Sequence, residues 1–307
     1  MLRGLTGPVP GHSGGEFGQE GRYAPTVQTE QEAGTPLGVA DAREPGVTRI
    51  RRAADWLRYS LDLLRVLTES DLRVRHGRGP WRIVRWLSEP IALVGVYLIL
   101  VTFVLDKAGT APGLSLACAV VPFQLVMLTI ANAMTALDAR RPILLNMAFK
   151  RMLIPPSSAL SESVGFGSSL LLLIAMMAIY AVAPTWNLLW FPLVLLLNLL
   201  LAVAVAYPAI LLGIWLRELK QFVLSFVRIL FFLGPGLVPL SETSAGTREL
   251  LRLNPMTGLF EAFRAVFMLG RAPAAWELLV PFGTAILLLA VFVPVYALEQ
   301  RQFAKVI

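Results

Sequence analysis

Residues 188–216, LLWFPLVLLLNLLLAVAVAYPAILLGIWL, contain no charged side chain. About 20 apolar helical residues cross a hydrocarbon core, so this run of 29 residues can span a bilayer with length to spare. It makes about 43 Å of helix at 1.5 Å per residue. The surplus predicts tilt or a kink, with Pro192 and Pro208 as the kink positions. Outward from this run, further apolar stretches give expected spans at 87–105, 114–137, 160–183, 221–240 and 278–298, six crossings with the first run included. Composition agrees: the 307-residue chain is 56% hydrophobic and 15% charged, against roughly 45–50% apolar and about 25% charged in soluble domains. A chain bathed in lipid puts apolar side chains on its outside as well as in its core. The expected fold is therefore an all-α membrane protein with six transmembrane helices.

Ahead of these spans, residues 1–47 are rich in Gly, Pro, Glu and Thr and read as a disordered extension. Residues 48–86 change character. Trp56, Leu57, Leu61, Leu64, Val66 and Leu67 recur near helical spacing, with Arg51, Arg52, Arg58 and Arg65 between them, the pattern of a basic amphipathic helix at the membrane surface. A break at Gly77, Gly79 and Pro80 precedes Trp81, Ile83, Val84, Trp86 and Leu87. Residues 87–307 form the expected transmembrane domain. Met1 to Gly15 lack an apolar signal region, so the first span is expected to serve as the insertion signal.

The net charge of +7 fits orientation of spans better than nucleic-acid binding, because the arginines collect before the first span and in alternate connections. Arg140, Arg141, Lys150 and Arg151, then Arg217 and Lys220, then Arg301 and Lys305 belong on one side with the N-terminal segment, which places both termini in the cytoplasm. The fifth connection, Ser241 to Trp276, departs from this rule by carrying Arg248, Arg252, Arg264 and Arg271. Within it Pro255 suits a helix start, and Leu259, Phe263, Val266 and Phe267 make an apolar stripe. Residues 255–269 are too short to cross, so a re-entrant helical hairpin before the last span is expected, its backbone shielded by protein.

Several chemistries are missing. Gly11-His12-Ser13-Gly14-Gly15 has nucleophile-elbow spacing without the strand and helix that motif requires. His12 and His76 are the only histidines and Cys118 the only cysteine, which builds neither a zinc site nor a disulfide. No glycine is followed by lysine, so the phosphate-binding loop of ATPases is absent. Any ATP dependence must then come from another polypeptide. Arg228 is the one ionisable residue deep in an expected span, either snorkelling or facing a pathway. The aromatics Phe231, Phe232, Phe260, Phe263 and Phe267 suit either an interfacial belt or a path for sugar rings.

Four stretches, in this order, resemble the permease subunits of polysaccharide ABC exporters, the type-2 ABC transporter membrane proteins that move O-antigen, teichoic acid, capsule or galactan chains. They are Asp71-Leu-Arg-Val-Arg75 with Gly79, Trp86 and Pro90; Lys150-Arg151-Met-Leu-Ile-Pro-Pro-Ser-Ser-Ala-Leu160; Leu216-Arg217-Glu218-Leu-Lys220 with Phe231-Phe-Leu-Gly-Pro235 and Pro239; and Leu253-Asn254-Pro255-Met-Thr-Gly-Leu-Phe-Glu-Ala-Phe-Arg264 with Glu299-Gln-Arg-Gln-Phe303. His76, Gly234 and Glu218 depart from the usual residues, and the N-terminal extension is unmatched.

The resemblance implies a homodimeric channel in the bacterial inner (cell) membrane, with two copies of a separate ATPase that carry the ATP and Mg; no cofactor is implied on this chain. It implies a lipid-linked polysaccharide as cargo, and a permease, not an enzyme. Arg73, Arg75, Arg78, Arg82 and Arg85 stand where a pyrophosphate headgroup would approach, and equally suit positive-inside flanking. Pro142 to Leu153 is expected to form a short helix ended by Pro155 that couples to the ATPase through Leu145, Phe149, Lys150, Arg151 and Met152. Arg228, Phe231, Phe232, Phe260, Phe263 and Phe267 are the expected channel and gate residues. The rivals are a type-2 exporter of drugs or lipids and an integral membrane enzyme acting on polyprenyl-linked substrates, which would need an acidic or histidine cluster.

Overall fold

The structure is a computed structural model that describes residues 45–76, 81–100, 103, 111–141, 150–237 and 239–300. The chain divides into two units, Met1–Thr48 and Arg49–Ile307. Only residues 45–48 of the first are described. The helices are α1 (Pro45–His76), α2 (Trp81–Ile99), α3 (Pro112–Ala133), α4 (Ala136–Ala139), α5 (Ile154–Ile179), α6 (Phe191–Trp215), α7 (Lys220–Leu233), α8 (Ala245–Arg252), α9 (Pro255–Phe267) and α10 (Ala275–Glu299). Among the described residues there is no strand.

Four helical runs, Pro112–Ala133, Arg151–Ile179, Trp186–Trp215 and Ala275–Glu299, are long and apolar enough to cross a membrane. They mark a multi-pass membrane protein. Many apolar residues on their outer faces stay exposed, among them Ile174, Leu196, Leu279 and Leu287, as expected where lipid is the solvent. The first and fifth expected spans are shorter: α2 has an apolar stretch of only Pro90–Ile99, and α7 has 14 residues.

α3 is the axis of the core. Nearly every residue from Gly113 to Val126 is buried, as befits a helix apolar on all faces, and α2, α5, α6, α7 and α9 all pack on it. At its end the approach is tight: a Cβ on Gly213 of α6 would stand 2.8 Å from the Cα of Met134, the residue after α3. That contact and the bonds from Tyr207 and Tyr296 to the Arg151–Met152 backbone bring the end of α3, the start of α5 and the ends of α6 and α10 together. At the opposite end Tyr180 Oη accepts from the Gly113 amide (3.1 Å), and Asn187 Nδ2 donates to the Gly270 carbonyl (2.6 Å).

Two proline expectations need correction. Pro192 lies in the first turn of α6 and Pro155 in the first turn of α5. Proline at a helix start loses no hydrogen bond and its fixed φ is already helical, so Pro192 opens a helix instead of kinking one, and Pro155 begins a helix instead of ending one. The third apolar helix consequently starts at Ile154, six residues before the expected 160. Of the expected coupling helix, residues 142–149 lie outside the described residues, and Arg151–Leu153 is a single 3₁₀ turn.

Candidate functional site

The Asn254-Pro255 pair begins the most buried short helix among the described residues. Asn254 Oδ1 accepts from the Met256 amide (3.0 Å), satisfying one of the free amides of the first turn, and Pro255 fills a position that needs no amide. Every residue from Met256 to Phe267 is buried. Gly258 permits this seat, since a Cβ there would come within 2.9 Å of the Glu277 carbonyl.

Arg264, 1% exposed, holds α9 to two other parts of the chain. Its Nε donates to Ser115 Oγ (3.0 Å) and the Ser115 carbonyl (3.3 Å) near the start of α3. One terminal nitrogen reaches the Pro235 carbonyl and Glu261 Oε1, both at 2.8 Å, and the other the Gly236 carbonyl at 3.2 Å. Glu261 in turn accepts from the Leu240 amide (3.1 Å). The fork of a guanidinium suits this divergent set of acceptors. The result is a clamp on the turn that follows α7.

The expected channel and gate residues divide into two groups. Phe231, Phe260, Phe263 and Phe267 are buried by this chain's own side chains. Phe263 meets Phe166, Phe191 and Phe267 with ring centroids 6.0–6.4 Å apart, and Phe231 meets Phe123 at 4.7 Å, Tyr97 at 5.5 Å and Phe260 at 5.6 Å. Arg228 and Phe232 instead lie on the exposed face of α7, with Phe222, Phe226 and Ile229.

At the end where α3 stops, Asp71 of α1 pairs with Arg140 and accepts from Ser161 Oγ (3.2 Å), while Arg140 also donates to Ser157 Oγ (3.0 Å). Lys150 lies over the Tyr59 ring at 5.5 Å. Arg151 donates to the Gln300 carbonyl (2.6 Å), its own carbonyl accepts from Tyr296 Oη (3.0 Å), and the Met152 carbonyl accepts from Tyr207 Oη (3.4 Å). Leu145, Phe149 and Arg78 lie outside the described residues, and Arg73, Arg75, Arg82 and Arg85 sit on α1 and α2 with side chains outside the description.

Two ion pairs with both side chains largely buried, Arg264–Glu261 and Asp71–Arg140, were among those that escaped the sequence reading. The first carries a readable signal: Glu261 and Arg264 are three apart, close enough to pair on one helix face, and flank Phe263 on the apolar stripe. The second joins residues 69 positions apart and has no local signal. Among the described residues no group of three His, Cys, Asp or Glu side chains could hold a metal. The arrangement is that of a scaffold with buried polar joints.

No family model matches the chain. The O-antigen export system permease protein RfbA of Myxococcus xanthus is 26% identical over 246 residues, covering 79% of this chain and 94% of that protein. Two Klebsiella pneumoniae proteins of the same name are 23% and 21% identical, covering 70% and 82% of this chain and 83% and 97% of their own lengths. The resemblance carried by the four stretches thus extends over most of the molecule, and the chain is similar to the permeases of type-2 ABC exporters.

Proposed function

We propose that this chain is the channel-forming subunit of an ATP-driven exporter that moves a lipid-linked polysaccharide from the cytoplasm across the inner or cell membrane. The observation that carries the reading is near full-length similarity to O-antigen export permeases in a chain with four membrane-length apolar helices. In this reading α2 and α7 also cross, giving six spans with both termini cytoplasmic, and α9 enters the outer leaflet without crossing it. Two copies pair, with the exposed Arg228, Phe222, Phe226 and Phe232 face of α7 turned to the channel. Residues 142–153 dock two copies of a separate ATPase, which supplies ATP and Mg, and the arginines from Arg73 to Arg85 receive the cargo's pyrophosphate. The buried Phe263 cluster supports a gate role for α9 through packing, not through a ring hanging in the channel.

Deleting the gene in its host tests this. Surface polysaccharide should be lost and lipid-linked polysaccharide should accumulate inside the cell, both reversed by the intact gene. Unchanged surface polysaccharide in the deletion strain overturns the reading, including the case in which drugs or lipids are the cargo.

A further inference from the structure

α1 is amphipathic, and its buried stripe is narrow. Ser60 and Leu67 are buried, and Asp71 follows on the same face, eleven residues after Ser60. Among the described side chains the stripe ends on a charge. The Asp71 and Arg140 side chains are 13% and 4% exposed, and from the first turns of α5 Ser157 accepts from Arg140 while Ser161 donates to Asp71. An apolar contact alone would let the helix roll or slide over its seat. A shielded ion pair with hydrogen-bonding neighbours instead fixes one register, because each misplacement leaves an unpaired buried charge.

The position of this pair gives it a second meaning. Arg140 and Lys150 stand just before and just after residues 141–149, and both touch α1. Arg140 is bound to Asp71, and the Lys150 ammonium lies 5.5 Å from the Tyr59 ring centroid, about 18 Å further back along α1 at 1.5 Å per residue. Both feet of that segment therefore stand on one rigid helix. The far foot is also bound to α6 and α10 through Tyr207, Tyr296 and Gln300. The near foot is tied to α1 through Asp71 and to α5 through Ser157.

We propose that the Asp71–Arg140 pair is the joint that passes displacement of residues 141–149 to α1, so that α1 turns with that segment and not with the lipid surface. This rests on the reading of the segment as the ATPase dock. Asp71 is a positioning residue in this scheme.

The full transporter, reconstituted with its co-purified ATPase on a Cys118→Ala background, carries spin labels at Asp62→Cys of α1 and Leu298→Cys of α10, both exposed positions. The distance between them should shift on adding a non-hydrolysable ATP analogue. Asp71→Asn should abolish that shift, and the exchanged pair Asp71→Arg with Arg140→Asp should restore it. Leu67→Ala, which loosens the same stripe without touching the joint, should leave it in place. A shift of parental size in Asp71→Asn, or no recovery in the exchanged pair, overturns the joint. If the ATPase binds the parent protein but the labels do not move, α1 is not driven by the segment and the joint falls while the dock stands. If no ATPase binds the parent protein at all, the proposed function falls and the joint with it.

Discussion

Arg264 shows what one residue can hold in a chain otherwise dominated by apolar contacts. Its five hydrogen bonds gather α3, the turn after α7 and Glu261 of its own helix. Arg264→Ala leaves Glu261 as a buried charge without its partner and the Pro235 and Gly236 carbonyls without their donor. Breaking a buried pair in this way costs about 3–5 kcal/mol, so the variant should be recovered at reduced yield with a lowered thermal midpoint in detergent. Arg264→Lys keeps the charge and loses the fork, so it should fall between the two. Removing Glu261 as well should return part of the loss, since neighbouring effects in one network are not additive. A midpoint in Arg264→Ala equal to that of the parent would show that the clamp holds nothing.

Elements differ in how well the sequence announces them. The four long apolar helices and α9 were legible, because uninterrupted apolar runs and a proline start followed by an apolar stripe are local signals. Pro155 was misread because proline is compatible both with the end of one helix and with the first turn of the next, and only the chain's path decides. The buried clamp was missed for a different reason. A periodicity reading counts apolar residues, so Arg264 registered as a loop cation when its partners outside α9 lie 28 to 149 residues away in sequence. Helix approach is likewise invisible until neighbours are known: Gly213 looks like one more small residue, yet it meets backbone atoms of Met134 that have nowhere to move. Gly213→Ala should therefore destabilise by about 1–3 kcal/mol through overpacking, read as a lower thermal midpoint, whereas alanine normally favours a helix. For α9 the useful variant is Phe263→Leu. Phe263→Ala would cost about 3–5 kcal/mol of core packing and confuse gating with unfolding. Phe263→Leu should insert normally and raise leakage of small solutes from reconstituted vesicles, and unchanged leakage would remove the gate role.

At the scale of the whole molecule the decisive element is α7. Its 14 residues make about 21 Å of helix at 1.5 Å per residue, short of the roughly 30 Å of a hydrocarbon core. Yet its surroundings differ at its two ends. Lys220 follows directly on the end of α6 and the Arg217–Leu219 turn, whereas Pro235 and Gly236 meet Arg264 and, through it, Ser115 near the start of α3. Since α3 and α6 both run the length of the bundle, the chain between Lys220 and Gly236 has travelled from one end of it toward the other. A short helix can do this in a membrane when its frayed carbonyls find donors inside protein, and the Arg264 guanidinium supplies such donors at the point where α7 stops. We therefore expect α7 to complete a crossing and the proposed six-span topology to hold. On a Cys118→Ala background, Glu218→Cys and Thr247→Cys bracket the helix at exposed positions. An impermeant thiol reagent added outside intact cells should label Thr247→Cys and leave Glu218→Cys untouched until the membrane is opened, with Ala183→Cys labelled like Thr247→Cys. Equal labelling of the two bracketing positions would mean that α7 returns to the side it left, and would reduce the count of crossings by making the segment from Lys220 to Leu233 a second re-entrant element.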